Sequence, residues 1–208
     1  MRPIVEIMKL CPLIPVLVID RLEDAAPMAR ALVAGGLKVL EVTLRTPAGL
    51  AAITAMKEAA PEAVVGAGTV NSAALLADAA KAGAEFIVSP GLTAAIANAA
   101  KAHDLPFLPG VATAGDILHG LELGQGAFKF FPAETSGGAA AIKALEGTFP
   151  GLDICPTGGI TLANAPTYLA LDSVRCVGGS WITPKDAVKS GDWARVTALA
   201  AEAAQLKR

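Results

Sequence analysis

One pattern constrains this chain more than any other: short apolar runs alternate with alanine-rich helical stretches from end to end. Pro12–Ile19 reads as a strand, and Leu22–Val33 as a helix stopped by Gly35-Gly36. Seven further strands are expected at Lys38–Leu44, Ala63–Gly68, Glu85–Ser89, Pro106–Pro109, Ala127–Phe131, Leu152–Cys155 and Val174–Val177. A helical stretch follows each, the last being Trp193–Leu206. Strict alternation implies parallel strands with helices outside them. Eight such units are the number of a (β/α)8 TIM barrel, and 208 residues is near the lower limit for that fold. An open doubly wound sheet is the alternative, weakened by the lack of GxGxxG after the first strand. The segment MRPIVEIMKLC predicts a short N-terminal helix with Ile4, Ile7 and Met8 on one side. No linker, low-complexity tract or charge block divides the chain, so residues 1–208 read as a single barrel domain.

Within that frame, Gly126-Ala-Phe-Lys-Phe-Phe-Pro-Ala-Glu134 stands out. Lys129 lies in a short apolar run between Phe128, Phe130 and Phe131, bounded by glycines and Pro132, which reads as a buried strand. Burying an ammonium costs several kcal/mol unless it is paired. Desolvation favours the neutral amine, which is the nucleophilic form of a lysine. Two readings follow: a catalytic amine, or a buried Lys–Glu pair that only holds strands together.

In a barrel of this kind, chemistry sits at the C-terminal ends of the strands. Glu41, Thr43 and Arg45 share parity along the second strand and are expected on its inner side. About 13 Å of strand separates Glu41 from Arg45. Arg45 is therefore expected at the rim and Glu41 deeper, near the level of the lysine. That suits an acid/base carboxylate below a substrate-anchoring arginine, and a structural ion pair is the alternative. Thr69 closes the third strand after Gly66-Ala-Gly68, and Pro90, at the end of the fourth, is expected to line the wall of the site. Thr157 ends the seventh strand before Gly158-Gly159, and Gly178-Gly179-Ser180 is expected to follow the eighth. Such glycine pairs offer free backbone N–H groups to a phosphate, with Ser180 adding a hydroxyl. Two tight turns are the alternative.

Composition excludes other classes. The formal charge of −2 gives no general attraction to nucleic acid or anionic membranes. No apolar stretch reaches the roughly 18 residues of a membrane span, and the N-terminus lacks signal-peptide features. A cytoplasmic location is expected. With 53% hydrophobic and 17% charged residues, surplus apolar surface points to an oligomer. Cys11, Cys155 and Cys176 are odd in number and widely spaced, which argues against disulfides and zinc. His103 and His119 have no companion at ligand spacing, so no metal site and no cofactor are expected.

Six ordered motifs resemble the class I aldolase family of 2-keto-3-deoxy-6-phosphogluconate (KDPG) and 2-keto-4-hydroxyglutarate (KHG) aldolases. They are LVAGGLKVLEVTLRT (Leu32–Thr46), VGAGTV (Val65–Val70), VSPGLT (Val88–Thr93), FKFFPAE (Phe128–Glu134), CPTGGI (Cys155–Ile160) and VGGSW (Val177–Trp181). The resemblance covers almost the whole chain. It implies a lyase of carbohydrate metabolism, in the Entner–Doudoroff pathway, that splits KDPG into pyruvate and glyceraldehyde 3-phosphate. KHG, split into pyruvate and glyoxylate, is a second substrate it allows. By resemblance, Lys129 forms the Schiff base and Glu41 is the general acid/base. Arg45 and Thr69 hold the pyruvate carboxylate, and Thr157 meets the substrate hydroxyls. Gly158, Gly159, Gly179 and Ser180 bind the phosphate, with Arg21 assisting. A sister family acting on the galactonate epimer tends to carry an aliphatic residue where Thr157 stands, so Thr157 leans towards the gluconate epimer. The resemblance also implies a homotrimer. A phosphometabolite-binding barrel without lyase activity remains the non-enzymatic alternative.

Overall fold

The computed structural model describes residues 2–207. A short helix, α1 (Ile4–Met8), buries Ile7 and Met8 ahead of the first strand, as the apolar spacing predicts. The strands that follow are β1 (Leu13–Leu17), β2 (Val39–Thr43), β3 (Val64–Gly68), β4 (Ile87–Val88), β5 (Phe107–Leu108), β6 (Gly110–Val111), β7 (Ala127–Phe130), β8 (Asp153–Pro156) and β9 (Val177–Gly179). Helices α2 (Ala25–Ala34) to α8 (Ala165–Leu169) occupy the connections, and α9 (Lys185–Ser190) and α10 (Trp193–Ala204) close the chain. No helix among the described residues is long and apolar enough to cross a membrane.

Every paired strand is parallel, and the architecture is α/β with a half-barrel sheet. The ladder is divided rather than continuous. Six strands run in the order β5-β4-β3-β2-β1-β9, and three in the order β6-β7-β8. Isolated parallel bridges, Ile154 with Val174 and Thr157 with Gly178, link the second segment to the chain around β9. Most strand residues are buried on both faces, which explains why the strands read as unbroken apolar runs and not as alternating ones. Helices are started by local chemistry. Ser72 and Thr93 cap α4 (Ala73–Lys81) and α5 (Ala94–Ala102), and Thr113 with Asp116 forms a capping box on α6 (Ala114–Glu122).

Three differences from the sequence reading matter for the site. The expected fifth strand is interrupted at Pro109, which has no N–H for a ladder, and resumes as β6 beside β7. The last strand is Val177–Gly179, not Val174–Val177, so Gly178 and Gly179 lie within it instead of after it. Pairing with β1 sets this span, Leu13 with Val177 through Pro15 with Gly179, and glycine is needed there because a side chain at Gly178 would meet the Thr157 hydroxyl, and one at Gly179 the Trp181 ring. Helix α9 was not expected at all.

Gly110 provides a direct test of how β4 and β6 are held together. A Cβ there would strike the Pro90 carbonyl and lie 2.8 Å from the Gly91 nitrogen, and these are backbone atoms that cannot swing aside. Gly110→Ala is expected to destabilise the fold by about 1–3 kcal/mol. Urea unfolding checks this: the midpoint should fall with an unchanged slope.

Candidate active site

Strand β2 delivers Glu41 and strand β7 delivers Lys129 into one buried place between the two sheet segments. The ammonium donates to Glu41 Oε1 at 3.2 Å, and only 7% and 4% of the two side chains remain accessible. The Phe131 ring lies 5.2 Å from the Lys129 nitrogen, within range of a cation–π contact. Space for the carboxylate comes from a missing side chain: a Cβ on Gly68 would sit 2.7 Å from Glu41 Cγ. Among the described residues, no fully buried side-chain nitrogen or oxygen lacks a hydrogen-bond partner.

Above this pair the other candidates separate into two groups. Arg45 lies past the end of β2 and is exposed, as the strand rise predicts. It shares a cavity of about 890 Å³ with Arg21 and Ser180. Arg21 does not reach into that space unopposed: its guanidinium grips Asp24 through two hydrogen bonds of 2.9 and 2.7 Å. Hydrogen bonding to Asp24 and its charge push the Arg21 pKa further up. Thr43, sharing parity with Glu41, spends its hydroxyl on the Leu17 carbonyl at 2.7 Å and is structural.

The second group surrounds Thr157. Its amide is bound by the Phe130 carbonyl at 2.9 Å, and its own carbonyl accepts from Ala133 N at 2.8 Å, so β8 and the segment after β7 leave together. Gly158 and Gly159 have φ of +100° and +79°, which side-chain-bearing residues rarely adopt. Glu134 Cβ lies 2.8 Å from where a Cβ on Gly159 would stand, so this carboxylate's stem fills the room the glycine leaves. Thr69 also has positive φ, +60°, an unfavourable conformation for a β-branched residue. Backbone strain of this kind concentrates where geometry serves a function. Pro90 is exposed at the end of β4, and its carbonyl packs against Gly110.

Sequence reasoning gave no role to Tyr168. This buried tyrosine, on α8, donates to Glu134 Oε1 and fixes the segment that carries the Gly158-Gly159 contacts. Burial, then the neighbouring Glu134 carboxylate, holds its phenol well above the ordinary value. The two residues are 34 apart, and no periodicity in the sequence connects them. Cys11, Cys155 and Cys176 are buried, and among the described residues no group of three or more His, Cys, Asp or Glu side chains that could hold a metal ion is present.

Comparison with known proteins adds to this geometry. The family model of KDPG and KHG aldolases matches residues 4–199. The chain belongs to the KDPG/KHG aldolase family. It is 55% identical to the 2-dehydro-3-deoxy-phosphogluconate aldolase of Zymomonas mobilis over 208 residues, covering 100% of this chain and 98% of that one. It is 50% identical to the KHG/KDPG aldolase of Escherichia coli over 194 residues, 93% of this chain and 91% of that protein. The crystal structure of the Zymomonas mobilis enzyme with 3-phosphoglycerate superposes with a TM-score of 0.95, covering 100% of this chain and 98% of that one. A Legionella pneumophila KDPG aldolase, 43% identical and with a TM-score of 0.95, was captured with pyruvate as a covalent carbinolamine intermediate; 99% of each chain is covered.

In this aldolase-family chain, Lys129 and Glu41 stabilise each other only as a pair. Glu41→Leu strands an ammonium in a buried site and is expected to cost about 3–5 kcal/mol. Glu41→Leu combined with Lys129→Met is expected to recover most of that loss. A double-mutant cycle by chemical denaturation measures the coupling, and additive losses would show that the two groups do not depend on each other.

Proposed function

We propose that this protein is a class I aldolase that cleaves KDPG to pyruvate and D-glyceraldehyde 3-phosphate, with KHG as a second substrate. One observation carries the reading: a lysine and a glutamate, each almost wholly buried, meet at 3.2 Å within β7 and β2. Glu41 is placed to take the ammonium proton and leave a neutral amine. Lys129 then attacks the substrate ketone, and Glu41 returns its proton to the departing hydroxyl, so that water leaves, the carboxylate is regenerated and an iminium forms that acts as an electron sink. Glu41 removes the proton from the hydroxyl on the far carbon, and the carbon–carbon bond breaks. Glyceraldehyde 3-phosphate leaves. The remaining enamine is protonated, and hydrolysis of the iminium releases pyruvate. One carboxylate serves both proton steps because each regenerates the state needed for the next.

Arg45 and Thr69 hold the carboxylate of the pyruvate half. Pro90 forms part of the wall. Thr157, held between Phe130 and Gly178, faces the substrate hydroxyls and favours the gluconate epimer. Gly158, Gly159, Gly179 and Ser180 receive the phosphate, with Arg21 assisting. The strand segments form a closed (β/α)8 barrel of one domain; the bridges from Ile154 and Thr157 to the chain around β9 support closure. The proposed form is a cytoplasmic homotrimer, supported by large apolar side chains left exposed on one protomer, among them Leu118 and Leu121 on α6.

Borohydride reduction in the presence of pyruvate, followed by peptide mapping, is expected to place a stable adduct on Lys129. A folded, pyruvate-exposed sample with no adduct would end the Schiff-base reading. Glu41→Gln keeps an acceptor for Lys129, so the fold should persist while turnover falls by about 100-fold or more. Steady-state cleavage kinetics check this, and unchanged turnover would remove Glu41 from the proton steps.

A further inference from the structure

The proposed phosphate contacts leave one charge unbalanced. A phosphate monoester carries about −1.5 to −2 at pH 7. Glycine N–H groups and the Ser180 hydroxyl offer it dipoles but no neutralising cation. Arg21 is largely spent, because Asp24 binds it in a two-point grip and Glu23 lies 3.6 Å from it. Uncommitted cations stand on the wall of the same cavity. Lys185 and Lys189 line it together with Ser180, and neither makes an ion pair or a side-chain hydrogen bond with any described residue. They are four apart on α9 and so share one face of that helix. The acid between them, Asp186, is drawn away by Arg195 of α10 at 2.6 Å and leaves the lysines uncompensated. Over the cavity wall, Arg21, Arg45, Lys185 and Lys189 face Asp20 and Asp24, so four cations against two carboxylates leave +2 on a chain whose net charge is −2.

We infer that Lys185 and Lys189 of α9 supply the counter-charge for the phosphate of the substrate and determine the preference for phosphorylated over unphosphorylated 2-keto acids. The inference rests on the aldolase reading above. It assigns the phosphate charge to a helix outside all six family motifs, with the Gly-Gly-Ser strand end setting direction and the lysines setting affinity. Lysine suits this task as a flexible point charge that needs no fixed two-point geometry.

The test compares kcat/KM for KDPG with that for unphosphorylated 2-keto-3-deoxygluconate. It uses wild type, Lys185→Gln, Lys189→Gln, the double variant, and Lys101→Gln on α5 as a charge-matched control. The double variant is expected to lower the phosphorylated-to-unphosphorylated ratio by about tenfold, mainly through KM, with single variants between. Lys101→Gln should leave the ratio as it is, and Lys185→Arg with Lys189→Arg should retain most of it. An unchanged ratio in the double variant, an equal fall in Lys101→Gln, or equal losses on both substrates would each overturn the assignment. Competition by inorganic phosphate gives a second readout on any variant that folds, since its inhibition constant should rise in step with the lost charge. Wild-type protein that forms no borohydride adduct with pyruvate would overturn the aldolase reading and this inference with it. Protein that traps pyruvate but keeps its ratio in the double variant would overturn the inference alone.

Discussion

The structure depends on the ion pair between Lys129 and Glu41. Glu41 belongs to the six-stranded segment and Lys129 to the three-stranded one, so one buried pair joins the two halves of the sheet. Such a pair adds little net stability, because desolvating two charges consumes most of their attraction. Its effect is to specify position. With either partner displaced, a charge is left in an apolar place, so strand registers that separate the two are strongly disfavoured. The neighbouring strands are built around that requirement. Gly68 leaves room for the carboxylate, since a Cβ there would stand 2.7 Å from Glu41 Cγ.

The same economy extends to the rim. Thr157 is tied to β7 through Phe130, to the segment after β7 through Ala133, and to β9 through its bridge with Gly178. Glu134 packs into the space left by Gly159 and accepts from Tyr168. The lysine-bearing strand, the glycine turn and α8 are therefore tied to one another. On the proposed reading, a substrate spanning from the buried amine to the rim would meet donors whose separation is set by packing, and such preorganisation lets binding energy serve the transition state.

Much of this was legible in the residues. The alternation of apolar runs and alanine-rich stretches gave the α/β class, and strand parity put Glu41 at the depth of Lys129. The apolar run around Lys129 marked it as buried. What escaped has a common cause: it depends on neighbours distant in sequence. Gly178-Gly179 reads as a turn until the Thr157 hydroxyl and the Trp181 ring show why a strand there must lack side chains. Pro109-Gly110 reads as a stop, yet the chain resumes as β6 because Gly110 alone fits against Pro90. Helix α9 is too short for an apolar period to declare it, and Tyr168 gains its role only through Glu134.

Division of labour between depth and rim follows from dielectric environment. At the Lys129–Glu41 level the side chains are almost wholly buried, so charges 3.2 Å apart interact strongly. That is where bond making and breaking need control. At the rim the cations are exposed and screened, and each interaction is worth less. On the proposed reading several must act together to hold a dianion, and loss of one would weaken binding without touching the chemistry. A site arranged this way can retain one Schiff-base centre while its rim changes to suit different aldehydes. The tight steric coupling around Lys129, set against the loosely held lysines of α9, is the physical form of that separation.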